Sequence, residues 1–572
     1  MKRTPVILSL ILMLLLATCL PGPAMAAADT PFNLHTVVLT TNEKSALVDN
    51  QPVTLPAAPR VEQGVTLVPL RFLAQTVGMD VYWNQEAKTV TLSVYDQEID
   101  LTLNSTAAMV NHQPYQLDQA PRIIDGVMMV PLRFIVSAFG AGVDYQPQTH
   151  EITLTIVPPA PPPPNQPPVA RFSVNKTTVA QGETVIYTDQ SYDPDGDKLI
   201  AEQWTGKKRA FFKPGQYTVS LQVEDSRGNW SQQAQVTITV TNTVLMDEVT
   251  YNLQNPIPGE PLDISRLKAS QLPELSPQRQ DGTRTLLMSN SPEKITTDGI
   301  LYMDTVAGPV RLFYHHTNDS TVDRQVYVVA ANPNSYPVNI TMERQATAGP
   351  GDPMSMGRAG TSRFLQQNSV MPQPPIQLPP GQSINLCQAD VPPGQTVHGI
   401  FDLNADAPVT YYFITVSAGT TGPLFDLPLL PPDPLHTRGT FQQCDRRLAL
   451  TVPGGKNSRL ILADGKSDPY ISGKNAADNT TVTDKGNYGV LYELDLTSGT
   501  RVGILANARG GPFAGAMRFN GQTFNVPSTD GVLANPDRGA MVGVLMPNQP
   551  ARLWFMPPSG SHLPLNLLFI PF

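Results

Sequence analysis

Charge is scarce in this chain of 572 residues. Only 15% of its side chains are Asp, Glu, Lys or Arg, and acids outnumber bases, 48 to 39, for a net −9. That balance excludes a protein that grips nucleic acid or an anionic membrane through a broad basic surface. Histidine (8), tryptophan (4) and cysteine (3) are also few. There is no Gly-x-Ser-x-Gly, no His-Glu-x-x-His and no phosphate-cradling glycine loop before a helix, so the common signatures of hydrolases, zinc peptidases and nucleotide binders are missing. Beyond the N-terminus, no apolar run reaches the ~20 residues a spanning helix needs. What abounds is proline (57) and glycine (41), which fits many short strands joined by turns. The length exceeds what one core supports and predicts several domains.

The first residues point to export. Lys2 and Arg3 precede an apolar run from Val6 to Ala17, Pro21-Gly22 breaks it, and Ala24-Met25-Ala26 supplies small residues for cleavage. Residues 1–26 therefore read as a secretory signal peptide, and a secreted or cell-envelope location follows. A lipoprotein anchored on Cys19 is the disfavoured alternative, because Thr18 replaces the usual small residue before a lipidated cysteine. Cleavage after Ala26 removes two cations, leaving 37 of the 39 bases against 48 acids, a net −11. It also leaves Cys387 and Cys444 as an even pair, for which an exported chain predicts a disulfide.

The chain repeats itself. Residues 46–94 align without a gap on 108–156, with "GVTLVPLRF" from Gly64 answered by "GVMMVPLRF" from Gly126. Each copy predicts strands, a turn, and a helix with Pro69 or Pro131 in its first turn. Leu70, Leu73, Ala74 and Val77 share one helical face, as do Leu132, Ile135, Val136 and Phe139. Gly78 and Gly140 stand where left-handed caps end helices. Arg71 and Arg133 recur against the helix dipole, so a hydrogen-bonded role in holding the preceding loop is expected, with ligand binding as the competing reading. Each copy is expected to form one small helix-on-sheet unit, the two packing in tandem.

The doubled "VPLRF…G..V.W" pattern behind a signal peptide resembles the copper amine oxidase N-terminal-like (stalk) domain of bacterial exported proteins, over residues 35–157. The resemblance implies a small α+β extension and no amine oxidation. The oxidase itself would need an Asn-Tyr-Asp/Glu quinone site and His-x-His copper ligands. Here the nearest match is Asn487-Tyr488-Gly489, and His315 and His316 are adjacent, which sends them to opposite sides of a strand. No copper is expected.

Residues 158–168, within "VPPAPPPPNQPP", read as a semi-rigid polyproline spacer. From 169 to 242, alternating strands and turn signals predict a small β-sandwich. This stretch resembles a PKD domain through Asp193-Pro194-Asp195-Gly196, Trp204, "PGQYTVSLQV" and Asp225, although "TGKK" replaces the Gly-Asp-Gly usual after the tryptophan. The resemblance implies an extracellular spacer or adhesive module. Asp193, Asp195 and Asp197 offer hard oxygens at i, i+2 and i+4 that can share a calcium ion, against a solvated turn as the plainer reading.

The remainder predicts two antiparallel β-rich domains, 245–430 and 437–572, with one short helix near Thr361–Gln367 after a Gly/Pro-rich loop. His315/His316 as metal ligands, Asp464/Asp468 as glycosidase carboxylates, and Tyr411, Tyr412 or Trp554 as sugar-stacking rings are candidates. Exposed or packed histidines in a strand and core packing of the rings are the stronger expectations, and catalytic carboxylate pairs come from separate strands, which spacing does not reveal. The sequence thus predicts a mostly β multidomain protein: duplicated α+β stalk, PKD-like sandwich and β-rich head. It reads as non-enzymatic, binding or assembling at the cell envelope with a cell-wall glycan or another surface protein as partner, and no nucleic acid. The alternative is an extracellular hydrolase of wall polymer or glycan acting through the C-terminal half.

Overall fold

In a computed structural model, the structure describes residues 34–95, 97–158, 164–367, 374–421, 423–432 and 436–572. The expected signal peptide with Cys19, and most of the proline run, lie outside these residues. Strands make up 52% of the chain and helices 8%. Two compact units separate at Gln166/Pro167.

In the N-terminal unit every element recurs 62 residues later. Strands Val65–Pro69 and Val127–Pro131 feed the helices Leu70–Thr76 and Leu132–Ala138, and the correspondence reaches back to His35–Thr40 and Gln97–Thr102. Pro69 and Pro131 sit at the N-caps, where a missing N–H costs nothing. Just past the helices, Gly78 and Gly140 take φ +79° and +60°, values a side chain would oppose. The first helix buries Leu70, Leu73 and Ala74, while the second buries Phe134 and Ile135.

The copies do not form separate helix-on-sheet units. One five-stranded sheet joins Gly142–Gln146 and Glu151–Ile156 to His35–Thr40, Ser45–Val48 and Gln51–Thr54, with His35 opposite Ile156. A second joins Asp80–Asn84 and Thr89–Val94 to Gln97–Thr102 and the next two strands. A four-stranded sheet is shared across its centre, where Val130 lies opposite Val68. Each copy therefore completes the other's sheets around one continuous core that includes Leu39, Leu73, Leu92, Ile135 and Leu154. The sequence pattern marks which residues face inward but not which copy supplies the partner strand.

The C-terminal unit begins with a small β-sandwich. Strands Thr178–Gln181, Ala234–Val244, Gly215–Asp225 and Leu199–Thr205 form a four-stranded sheet opposite the pair Phe172–Val174 and Tyr187–Asp189. Val219, Leu221 and Ile238 are fully buried between them, and Trp204 meets Phe172 edge-on at 4.9 Å.

Residues 245–572 form a larger assembly of sheets that crosses the expected boundary at 430/437. Gln278–Asp281 pairs with Asp445–Val452, Pro261–Asp263 with Arg538–Leu545, and Thr285–Ile295 with Arg438–Phe441. Strand Gly299–Asn318 and strand Thr396–Ser417 form the spine of a ten-stranded sheet. The expected short helix is longer: Pro353–Gln366, capped by Asp352, which accepts from the Ser355 N–H at 3.0 Å. Pro353 falls at its start, where proline is harmless, and Gly357 and Gly360 are needed for contact. A Cβ at Gly357 would stand 1.9 Å from the Ser559 carbonyl, and one at Gly360 would stand 2.1 Å from the His398 ring. A Gly-rich stretch that reads as loop is here a helix pressed onto a sheet.

Candidate functional site

The residues singled out for chemistry are mostly held in the interior. His315 and His316 are both fully buried, on opposite sides of their strand. His315 faces His398 with ring centroids 5.1 Å apart, while His316 stacks on Tyr314 at 5.9 Å and places Nδ1 3.6 Å from Glu293. Burial holds both imidazoles well below their ordinary range, and that of His398 down to about 4. Asp468 is buried as the partner of Arg446, and it accepts from the Tyr492 hydroxyl at 2.6 Å and the Ala463 N–H at 2.6 Å. Asp464 instead caps its own turn, accepting from the Lys466 and Asp468 N–H groups. Tyr411 is fully buried, Tyr412 packs on Phe425, and Trp554 lies under the guanidinium groups of Arg344 and Arg518. Tyr488 donates to the Ser561 carbonyl at 2.8 Å, with the adjoining Asn487 buried.

The expected disulfide is not formed: Cys387 and Cys444 are both free thiols. They belong to different hydrophobic clusters. Cys387 Sγ meets the Tyr314 hydroxyl at 3.6 Å, and Cys444 Sγ meets Arg311 Nη1 at 3.8 Å. Burial raises both thiols above their ordinary range, which keeps them protonated and unreactive. A count of two cysteines carries no information about which sheets separate them.

The acidic turn is rearranged relative to expectation. Asp193 Oδ1 accepts from the Asp195 and Asp197 N–H groups, closing the turn on itself. The carboxylates that converge are Asp193, Asp197 and the fully buried Asp225, with one oxygen from each within 4.8 Å of the others. Arg227 lies against this turn, donating from Nε to Asp197 at 2.6 Å and from Nη2 to Asp195 at 3.4 Å. Asp195 and Asp197 are thus ion-paired with Arg227. Asp225 lies on the next strand but one, beyond the reach of spacing rules.

Arg133 forms an ion pair at 3.4 Å with Asp118, which lies in the loop between strands Gln113–Gln116 and Arg122–Ile124. Arg71 has Pro56 at the position equivalent to Asp118. It lines a groove of about 700 Å³ with Phe72, Trp83, Ile123 and Met128.

A cleft lies within the C-terminal unit, at the seam between the small sandwich and the head. It measures about 820 Å³, inside the ~300–1,000 Å³ typical of ligand sites. Several segments build it. Strand Tyr187–Asp189 contributes Tyr187; the hairpin after Trp204 contributes Lys207, Lys208, Arg209, Phe212, Lys213 and Tyr217; helix Glu248–Gln254 and the chain up to strand Pro261–Asp263 contribute Glu248, Tyr251, Glu260 and Asp263; Ser528 and Thr529, and Arg538 at the start of strand Arg538–Leu545, complete it. The seam is tied together. Arg209 pairs with Glu260 and donates to the Asn255 carbonyl at 3.1 Å, Phe212 meets Tyr251 edge-on at 5.6 Å, and the Thr184 and Tyr251 hydroxyls are 3.2 Å apart. Asp247 caps the helix through the Val249 and Thr250 N–H groups. Lys207 Nζ sits 3.7 Å from the centre of the Trp204 ring. Burial raises Glu248 above its ordinary range, whereas hydrogen bonds from Ser265 lower Asp263 below its own. The "TGKK" departure marked this hairpin in the sequence, but its partners lie up to hundreds of residues away.

Residues 35–154 match the family model of the copper amine oxidase N-terminal domain, 120 residues of the 572. No curated protein matches the chain. Among solved structures, the chain is similar to a carbohydrate-binding module of the β-sandwich superfamily at 15% identity, covering 45% of this chain and 100% of that one, with a TM-score of 0.13. It is also similar to a Streptomyces avermitilis α-L-rhamnosidase complexed with L-rhamnose, at 12% identity over 70% of this chain and 39% of that one, TM-score 0.11. A third is Lac15 from a marine microbial metagenome, at 9% identity over 70% and 98%, TM-score 0.09. Scores this low bear on neither fold nor function. What the N-terminal residues carry is therefore a match to the copper amine oxidase N-terminal domain, and the rest of the chain stands on its own β-rich architecture.

Proposed function

We propose that this is an exported, non-enzymatic protein of the cell envelope. In this reading the N-terminal unit serves as stalk, the PKD-like sandwich and β-rich head form the binding part, and a wall glycan is the partner. The cleft at the seam carries the proposal. It is open, lined by half-buried rings and exposed cations, and held rigid by Arg209 and the capped helix. By contrast, the histidines and Asp468 serve as packing and ion-pair partners in the interior. Aromatic faces beside polar groups are what sugar binding uses, apolar ring faces meeting C–H bonds while hydroxyls find donors and acceptors.

One observation favours a second reading, an extracellular glycan hydrolase. Glu248 and Asp263 line the same cleft, with one carboxyl raised and the other lowered, the separation that distinguishes a general acid from its charged partner. Retention of residues 27–572 on an array of wall polysaccharides, with product analysis of the same incubations, distinguishes the two. The binding reading predicts retention without new reducing ends. New reducing ends that vanish in Glu248→Gln would establish the hydrolase instead.

A further inference from the structure

We infer that the seam cleft takes an acidic polysaccharide whose carboxylates are spaced along its sugar rings, which rests on the glycan-binding reading above and narrows it. The chain as a whole is acidic, at −9, yet Lys207, Lys208 and Lys213 gather on one hairpin at the rim of a single cleft. All three are exposed. Among the described residues none of them is engaged in an ion pair, whereas Arg209 beside them is committed to Glu260. Arg538 adds a fourth cation from the far wall. Exposed ammonium groups on a hairpin cost conformational freedom and solubility nothing. Held together in a net-acidic molecule, they create a local potential that draws an anion to this place and no other.

The cleft also sets the charge density of its occupant. Glu248 and Asp263 stand among the cations, so the excess of positive charge is small. A nucleic acid carries about one charge per 1.7 Å of duplex axis and would meet both these carboxylates and the net charge of the chain. A polyuronide carries one carboxylate per sugar and presents hydroxyls between them. Those hydroxyls can donate to Glu248 and Asp263, groups that accept hydrogen bonds and would repel phosphate. The rings of Tyr187, Phe212 and Tyr217, each half-buried, line the cleft, and Lys207 Nζ lies 5.6 Å from the centre of the Tyr187 ring, so apolar ring surface stands beside the cations, as binding of pyranose rings needs. Lys207, seated over Trp204, is aimed by that contact instead of sweeping through solvent.

The test measures binding of residues 27–572 to polygalacturonate, to its methyl ester, to a neutral β-glucan and to a single-stranded oligodeoxynucleotide. Polygalacturonate is expected to bind, and neutralising its carboxylates as the ester should weaken binding by about tenfold or more, with a comparable loss on raising salt. The triple variant Lys207→Gln/Lys208→Gln/Lys213→Gln should lose binding by about tenfold with an unchanged unfolding transition, because the three side chains are exposed. The control Lys456→Gln/Lys466→Gln, exposed elsewhere on the head, should bind as the parent does. Equal affinity for the ester, an unaffected triple variant, or an oligonucleotide binding as tightly as the polyuronide would each overturn the inference. If only the neutral glucan is retained, the inference fails and the glycan-binding reading stands; if nothing is retained, both fail.

Discussion

Replacing Arg311 with leucine is expected to destabilise residues 167–572 by about 3–5 kcal/mol, read as a shift in urea unfolding. Arg311 is fully buried on strand Gly299–Asn318. It donates to both oxygens of Asp402 on the neighbouring strand, at 2.7 and 2.9 Å, and to the Gly489 carbonyl at 2.9 Å. Nη2 lies 3.0 Å from Asp445, and the guanidinium sits 5.2 Å from the Phe364 ring of the docked helix. The arginine thus joins the ten-stranded sheet, the sheet containing Asp445 and the helix Pro353–Gln366 through one group. Leucine fills much of the space but leaves Asp402, only 2% exposed, without its two short hydrogen bonds and with Arg284 Nε at 3.8 Å as its remaining ion pair. The cost comes from that under-compensated carboxylate more than from the lost attraction, since a buried pair gains little over apolar packing. The double variant Arg311→Leu/Asp402→Leu should therefore be more stable than Arg311→Leu alone. A single variant within about 1 kcal/mol of the parent would show that the head does not depend on this junction.

Acid should loosen the same core. His398 donates from Nδ1 to the Tyr314 carbonyl at 2.8 Å and is otherwise enclosed, with its basicity lowered to about 4 by burial. In the unfolded chain the same imidazole titrates near 6.5. Between these values the unfolded state binds the proton and the folded state does not, so stability is complete above about pH 6.5 and is lost as pH falls toward 4. For His398 alone the loss amounts to about 3 kcal/mol. His315 and His316 are lowered too and add in the same direction, while Asp484, raised by burial, works in the opposite sense over part of the window. A substitution isolates the histidine. His398→Phe keeps a ring against Gly360, and its stability should fall less steeply between pH 7 and 4 than the parent's, narrowing or reversing the gap at the acid end. Parallel pH profiles for parent and variant would show that His398 is not held neutral by the fold.

The contrast between what local pattern conveys and what it cannot is visible residue by residue. The 62-residue repeat, its helices after Pro69 and Pro131, and the strands of the small sandwich depend on period and turn chemistry, which the sequence displays directly. Pairing between distant segments is not displayed. His35 opposite Ile156 and Arg279 opposite Leu448 are satisfied by strands whose alternation fits many partners equally well. The helix Pro353–Gln366 was obscured because its glycines, poor in isolated helices, are required by the Ser559 backbone and the His398 ring. Asp225 joins the acidic turn, and Tyr251, Glu260 and Arg538 join the basic hairpin, only through long-range topology. The free cysteines have the same origin: chain composition permits a bridge, while the fold places the sulfurs in separate clusters.

The most direct measurement compares retention on purified wall polysaccharide of three proteins: residues 27–572, residues 34–166 and residues 167–572, the last two being the compact units of the fold. A stalk that displays a binding head predicts that 167–572 is retained as well as the whole chain and that 34–166 washes through. Retention confined to 34–166 would contradict that division of roles and would move the binding site to the N-terminal unit.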